Sequence, residues 1–235
     1  MTSKEVMSEL KKLGSHQIKK IWINHGVKGD LFGVKVGDMK VIQKKIKHDH
    51  ELSLELFDTR NADAMYFAGL ISEPQKMSKD ELQHWAEISN WHMLSECTVS
   101  WAAAESKFGH ELAMKWIKSK EERIASAGWS TYSCLLALKK DDELDLKEIE
   151  TLLENIKKTI HTMPNRVRHT MNNFVIAVGT YVTALTLKAK AVAKTIGVVE
   201  VNMGNTACNV PDALIYIKKA EDSGKIGKKK KTVFC

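Results

Sequence analysis

Helix breakers are scarce in this chain, with only 3 Pro and 13 Gly among 235 residues. An all-β sandwich or barrel turns every ~8–12 residues and places Gly and Pro at those turns, so the scarcity argues for long runs of helix instead. The apolar residues agree, recurring three and four positions apart almost everywhere. Val6, Leu10 and Leu13 form one stripe, Leu82, Trp85 and Ile88 a second, and Ile149, Leu152, Leu153, Ile156 and Ile160 the cleanest of all. An apolar share of 43% is enough to bury a sizeable core. No run reaches the ~18 apolar residues of a membrane span. The polar, acid-containing start Met1-Thr2-Ser3-Lys4-Glu5 lacks the apolar stretch of a secretion signal, so the expected location is the cytoplasm.

Helix starts are marked. Thr2 with Glu5, and Ser78 with Glu81, fit the capping box, in which a hydroxyl and a carboxylate satisfy two orphan backbone N–H groups reciprocally. An N-terminal helical pair breaks at His25-Gly26 and is followed by a loop over 29–37. The spacing then predicts helices over 50–57, 61–71, 90–106, 109–118, 120–139, 145–161, 165–178 and 181–196. Successive antiparallel pairs about forty residues apart predict an all-α fold, a curved superhelix of HEAT-like helix pairs in one domain over 1–222. Two segments depart from that pattern. Two β-prone runs around Asn202-Met203-Gly204-Asn205 predict a small β-hairpin over 198–210, with a last helix starting near Pro211-Asp212. Residues 223–235, with Lys225 and four lysines at 228–231, read as a solvated, flexible basic tail.

The formal charge of +7 is segregated. Residues 1–50 carry 11 Lys/Arg against 5 Asp/Glu, 51–150 carry 11 against 19, and 151–235 carry 14 against 5. From Asn155 to Val199 there is no acid at all, although Lys157, Lys158, Arg166, Arg168, Lys188, Lys190 and Lys194 lie there. A surface tuned for solubility mixes the two signs, whereas one facing a polyanion excludes carboxylates because each repels phosphate. Nucleic acid is the partner class this pattern favours.

Common cofactor chemistries find no support. The four cysteines, Cys97, Cys134, Cys208 and Cys235, are far apart and show no metal-ligand spacing. His48 and His50, two positions apart, do not share a helix face, and no third ligand is signalled nearby, so neither metal nor cofactor is expected. Phosphate loop, dinucleotide fingerprint and nucleophile elbow are all absent from the sequence. Of six tryptophans, Trp22, Trp85, Trp101 and Trp116 fall on apolar stripes and read as core. Trp129 follows Gly128, a small neighbour that gives its ring room. Trp91 follows Asn90, a candidate N-cap, where its ring could stack on a nucleotide.

Four motifs then carry a resemblance: Phe32-Gly33-Val34-Lys35-Val36-Gly37-Asp38, Asn90-Trp91, Lys115-Trp116-Ile117 and Arg166-Val167-Arg168-His169. Over nearly its whole length the chain resembles the AlkD-type DNA alkylation repair family, HEAT-like proteins that include alkylpurine DNA glycosylases. The resemblance implies a stack of helix pairs whose basic concave face holds duplex DNA. It also implies a Trp and, one helical turn later, an Asp that supports breakage of the glycosidic bond. Trp91 matches the first, but Ser95 stands at the second, and an alcohol cannot supply that negative charge. Glu96 is adjacent, yet one helical step turns a side chain by ~100°. The family's Arg falls at Ser126, with Arg123 a turn earlier, and its second Trp falls near Asn173.

The expectation is a monomeric DNA-binding member of that family, recognising duplex, branched or damaged DNA with little or no base excision, and nucleoid-associated when bound. Arg166, Arg168, Lys188, Lys190 and Lys194 would contact phosphates from one concave wall. Asn202 and Asn205 would reach a groove from the hairpin, Lys228 and Lys229 would add tail contacts, and Trp91 would pack on sugars. Two alternatives stand beside it: an alkylpurine glycosylase using Trp91 and Glu96, and a helical scaffold for acidic proteins.

Overall fold

The computed structural model describes residues 1–234, and among them it holds thirteen α-helices and no strand. These are α1 (Ser3–Leu13), α2 (His16–Asn24), α3 (Val36–Ile46), α4 (His50–Asp58), α5 (Ala62–Ile71), α6 (Lys79–Ile88), α7 (Ser100–Glu105), α8 (Gly109–Trp116), α9 (Glu122–Leu138), α10 (Leu146–Thr159), α11 (Asn165–Tyr181), α12 (Thr186–Ile196) and α13 (Ala213–Asp222). Both capping boxes form, with Glu5 N–H donating to Thr2 at 3.3 Å and Glu81 N–H donating to Ser78 at 3.2 Å. The last helix starts where Asp212 accepts from the N–H of Ile215 at 2.9 Å.

The helices stack as a curved, two-layered array. Within it α5 packs on α4, α9 on α8 and α7, and α11 on α9, α12 and α13. Every residue of α5 is buried. Apart from Asp63 it is nearly apolar all round, so it has no face to give to solvent and runs through the interior. Two apolar clusters fill the array, one from Val6 to Ala127 and one from Ala104 to Ile217, and they interleave along α7, α8 and α9. Glycine sets the closest approach between layers: a Cβ on Gly128 of α9 would lie 2.5 Å from the backbone nitrogen of Ile117 at the end of α8. That contact fixes Trp129 as a core residue, 1% exposed and edge-on to Phe174 with ring centroids 5.2 Å apart.

Two expectations are corrected here. The hairpin over 198–210 does not form. Asn165 takes both backbone groups of Asn202, its Oδ1 accepting from Asn202 N–H at 2.7 Å and its Nδ2 donating to Asn202 C=O at 2.9 Å. Those groups are then spent on α11 rather than on a strand ladder, and the segment is an irregular loop. The basic tail, for its part, lies against the body. Gly227 N–H donates to Thr180 C=O, Lys230 N–H to Ala137 C=O and Val233 N–H to Glu105, while Phe234 packs near Trp101 with centroids 5.8 Å apart. The tail thus crosses the far ends of α11 and α9 and reaches α7. Lysines suit that path, because helix C-termini carry exposed carbonyls and partial negative charge. Cys235 lies outside the described residues.

Candidate nucleic-acid interface

A cleft of about 970 Å³ opens where several elements begin or end together. Its rim is His25, Gly26 and Lys28, just past α2. Its floor is Asn90, Trp91, His92 and Ser95, and its far wall combines the first turns of α9 and α11 with the 202–204 loop. Glu121 precedes α9 as its N-cap, Glu122, Arg123 and Ser126 come from α9, and Asn165 and Arg166 from α11. Pro164 precedes α11, and it has no N–H to continue the preceding turn, so a new helix begins there.

Trp91 is a packed part of that floor rather than a free platform. It is 7% exposed, its indole N–H donates to His25 C=O at 3.0 Å, and its ring centroid lies 5.3 Å from that of Trp22. Beyond it the backbone widens into a π-helix over Leu94–Val99. Such a turn carries one extra residue and shifts the register of the side chains after it. Its loosened ladder is tied down by Ser100, whose hydroxyl donates to Ser95 C=O at 2.7 Å and Ala127 C=O at 3.1 Å. Ser95 lines the cleft but is 1% exposed.

Glu96 turns away from the cleft space and into α11. Arg166 Nε donates to Glu96 Oε1 at 2.7 Å and Nη2 donates to Oε2, while His169 Nδ1 lies 3.4 Å from Oε2. The glutamate side chain is 8% exposed. Burial pushes its carboxyl up, but hydrogen bonds from His169 and Arg166 outweigh that and hold it below the usual carboxylate range. The group is an ionised counter-charge, not a base open to the cleft.

His92 responds in the opposite way. Burial above all, helped by the positive charge of Arg166, lowers its pKa to about 4. In the unfolded chain it titrates near 6.5. Between those values the unfolded state binds the proton and the folded state does not, so stability is complete above about pH 6.5 and falls as the pH drops toward 4. The loss at the acid end is on the order of 3 kcal/mol, by about 1.4 kcal/mol per pKa unit. Urea titrations at pH 7.0 and 4.5 are expected to show that loss, and His92→Gln is expected to flatten it. An equal acid loss in the variant would show that other groups cause it.

Of the residues expected at the interface, Trp91, Arg166 and Asn202 meet in this cleft. Glu96 lies behind its wall. Lys188, Lys190 and Lys194 do not line it. They ride on α12, which packs on α10, α11 and α13, and Lys188 and Lys190 face Glu150 at 3.4 Å and Glu221 at 2.6 Å. Arg168 is two positions past Arg166 and so ~200° round α11. Its Nε is buried without a hydrogen-bond partner. Lys229 pairs with Asp141 at 2.8 Å and donates to Leu136 C=O at 3.0 Å, at the C-terminal end of α9, away from the cleft; Lys228 and Asn205 are exposed and line none of it.

Sequence reading missed His25, Lys28, His92 and Asn165, and placed Arg123 only by register. No local pattern marks them, because they come from three separate element ends. Glu121 and Glu122 were also unforeseen. Glu122 Oε1 is occupied by the N–H of Arg166 at 2.6 Å, whereas the Glu121 side chain is 65% exposed and 3.9 Å from Arg123. No group of three or more His, Cys, Asp or Glu among the described residues is arranged to hold a metal ion.

The profile of the DNA alkylation repair enzyme family matches residues 6–214. Among known proteins, an uncharacterized protein of Listeria monocytogenes is 37% identical over 231 residues, covering 96% of this chain and all of the relative. One from Listeria innocua is 36% identical over 228 residues, covering 94% and 98%. A solved structure, described as a new family of proteins related to the HEAT-like repeat DNA glycosylases with affinity for branched DNA structures, superposes with a TM-score of 0.91 at 42% identity over the full length of both chains. Fold, cleft and sequence therefore agree, and the chain belongs to the DNA alkylation repair enzyme family.

Proposed function

We propose that this protein binds DNA, taking branched or damaged structures in its cleft, and performs little or no base excision. The observation that carries the reading is the end-to-end likeness, at 42% identity, to a protein with affinity for branched DNA. The site chemistry supports it. Lys28 and Arg123 supply positive charge around the cleft, Arg166 lines it with its charge paired to Glu96, and Ser95, at the place of the family's carboxylate, supplies none of the negative charge that bond breakage needs. Glu96, the next acid along, is already neutralised by Arg166.

One observation favours a second reading. Glu121 stands exposed on the cleft wall, where a carboxylate could position water, so base excision has one candidate of its own. A single experiment separates the readings. Gel shifts at fixed salt with duplex, abasic, methylated, three-way and four-way DNA, with release of free methylated purine followed in the same samples, are expected to show tightest binding to branched arms and no release. Release that disappears in Glu121→Gln would establish the enzyme instead. Failure to bind any of these DNAs would sink both. An acidic-protein scaffold would show a much shallower dependence of binding on log salt than the slope of about −0.9 per neutralised phosphate expected for duplex DNA.

A further inference from the structure

Arg166 has five N–H donors in a rigid fork, and their allocation in this structure is uneven. Its Nε and Nη2 edge is closed on the two oxygens of Glu96, and Nη2 also lies 3.1 Å from His169 Nδ1. The remaining nitrogen, Nη1, faces only the sulfur of Met203 at 3.7 Å, on the loop that lines the cleft's far wall. A thioether is a weak acceptor, so this edge of the guanidinium keeps its capacity for an oxygen anion. The pair is held on both sides: Glu96 by the π-helix, whose extra residue turns its carboxylate into α11, and Arg166 by the first turn of α11. A second carboxylate, Glu122, already sits at the Arg166 backbone N–H at 2.6 Å.

We propose that Glu96 is a positioning residue for DNA binding: it grips one edge of the Arg166 guanidinium and thereby aims the other edge into the cleft, at a phosphate. The proposal rests on the DNA-binding reading above. Without the grip, the guanidinium is free to turn toward another carboxylate, such as Glu122, which already accepts from the Arg166 backbone N–H, and turning to it withdraws the donor from the cleft. Buried ion pairs are poor sources of net stability, and a directional role of this kind accounts for the presence of one beneath a binding surface. Glu96 touches no ligand itself and acts only through Arg166.

The test measures affinity for a fluorescent three-way junction and a duplex of equal arm length across a salt series, with folding checked by circular dichroism. Arg166→Met is expected to weaken binding to both DNAs and to reduce the salt slope by about one. Glu96→Gln is expected to weaken binding about threefold or more in the parent, although it adds a net positive charge, and to cause no further loss in the Arg166→Met background. Tighter binding with a steeper slope would mean that Glu96 merely cancels charge, and overturns the proposal. An equal loss with and without Arg166 would mean a purely structural role, and overturns it as well, as does an unchanged affinity. Should Glu96→Gln fail to fold, Arg166→Lys decides, since it keeps the charge but lacks the fork. It is expected to lose as much as Arg166→Met, and parent-like binding would overturn the proposal. A parent protein that binds neither DNA refutes the DNA-binding reading instead.

Discussion

Asp63→Ala is expected to lower the melting temperature by roughly 10 °C, corresponding to about 3–5 kcal/mol in a chain of this size. Asp63 sits on α5, 3% exposed, and its carboxylate accepts three consecutive backbone N–H groups: Phe32 at 2.6 Å, Gly33 at 2.9 Å and Val34 at 2.9 Å. Alanine leaves those donors without a partner, two of the bonds being fully buried. The damage spreads because α2 has no buried residue of its own. It is fastened to this loop by Ser15 N–H to Gly33 C=O at 3.0 Å and by the Trp22 indole to Val34 C=O at 3.2 Å. Gly33 admits the contact only because it lacks a side chain: its φ is +82° and a Cβ there would lie 2.4 Å from the nitrogen of Lys19. Since α2 leads directly into His25 and Lys28, DNA affinity is expected to fall along with stability. Thermal circular dichroism checks the first effect, and a shift below roughly 3 °C would show that the loop is held by something else.

The second large effect separates the two candidate DNA surfaces. Reversing the cleft cations, Lys28→Glu with Arg123→Glu, is expected to weaken duplex binding by about thirtyfold or more and to reduce the salt slope by about two, one for each phosphate no longer neutralised. Arg123 is available to a phosphate, because its 3.9 Å pair with Glu121 has both side chains solvated and surface pairs of that kind are worth only about 0–1 kcal/mol. The triple reversal of Lys188, Lys190 and Lys194 is expected to cost less than about threefold, since screening at ordinary salt confines such interactions to within about 8–10 Å. Melting curves on both variants guard against loss through unfolding, which matters for α12, where reversal sets two new acids against Glu150 and Glu221. A larger loss from the α12 variant would place the DNA path across α12.

How far each feature could be read from the sequence follows from the range of the forces that set it. Capping boxes at Thr2 and Ser78, the mostly apolar run of α5 and the stripe on α10 are local patterns, and each produced the expected helix. The resemblance carried by Asn90-Trp91 and Arg166-Val167-Arg168-His169 led to the right family. It also put Ser95 where a carboxylate would stand, which is a matter of residue identity alone. The hairpin was misread because β-prone composition over 198–210 says nothing of Asn165, 37 positions earlier, which claims the backbone of Asn202. In the same way, four consecutive lysines do not reveal that α7, α9 and α11 offer their tail-side ends as a track for them.

By itself the sequence determined the helices, their stacking class, the family and the absence of an acid at position 95, because these depend on periodicity and on residue type. Only the tertiary structure decided which charges face the cleft. An acid-free stretch from 155 to 199 looks like one surface on paper, but Arg166 of α11 lines the cleft while the α12 lysines do not, and acids from distant segments, Glu96, Glu150 and Glu221, neutralise several of these cations. Charge adds along a chain, whereas a field depends on distance and direction in space, and those are set by packing.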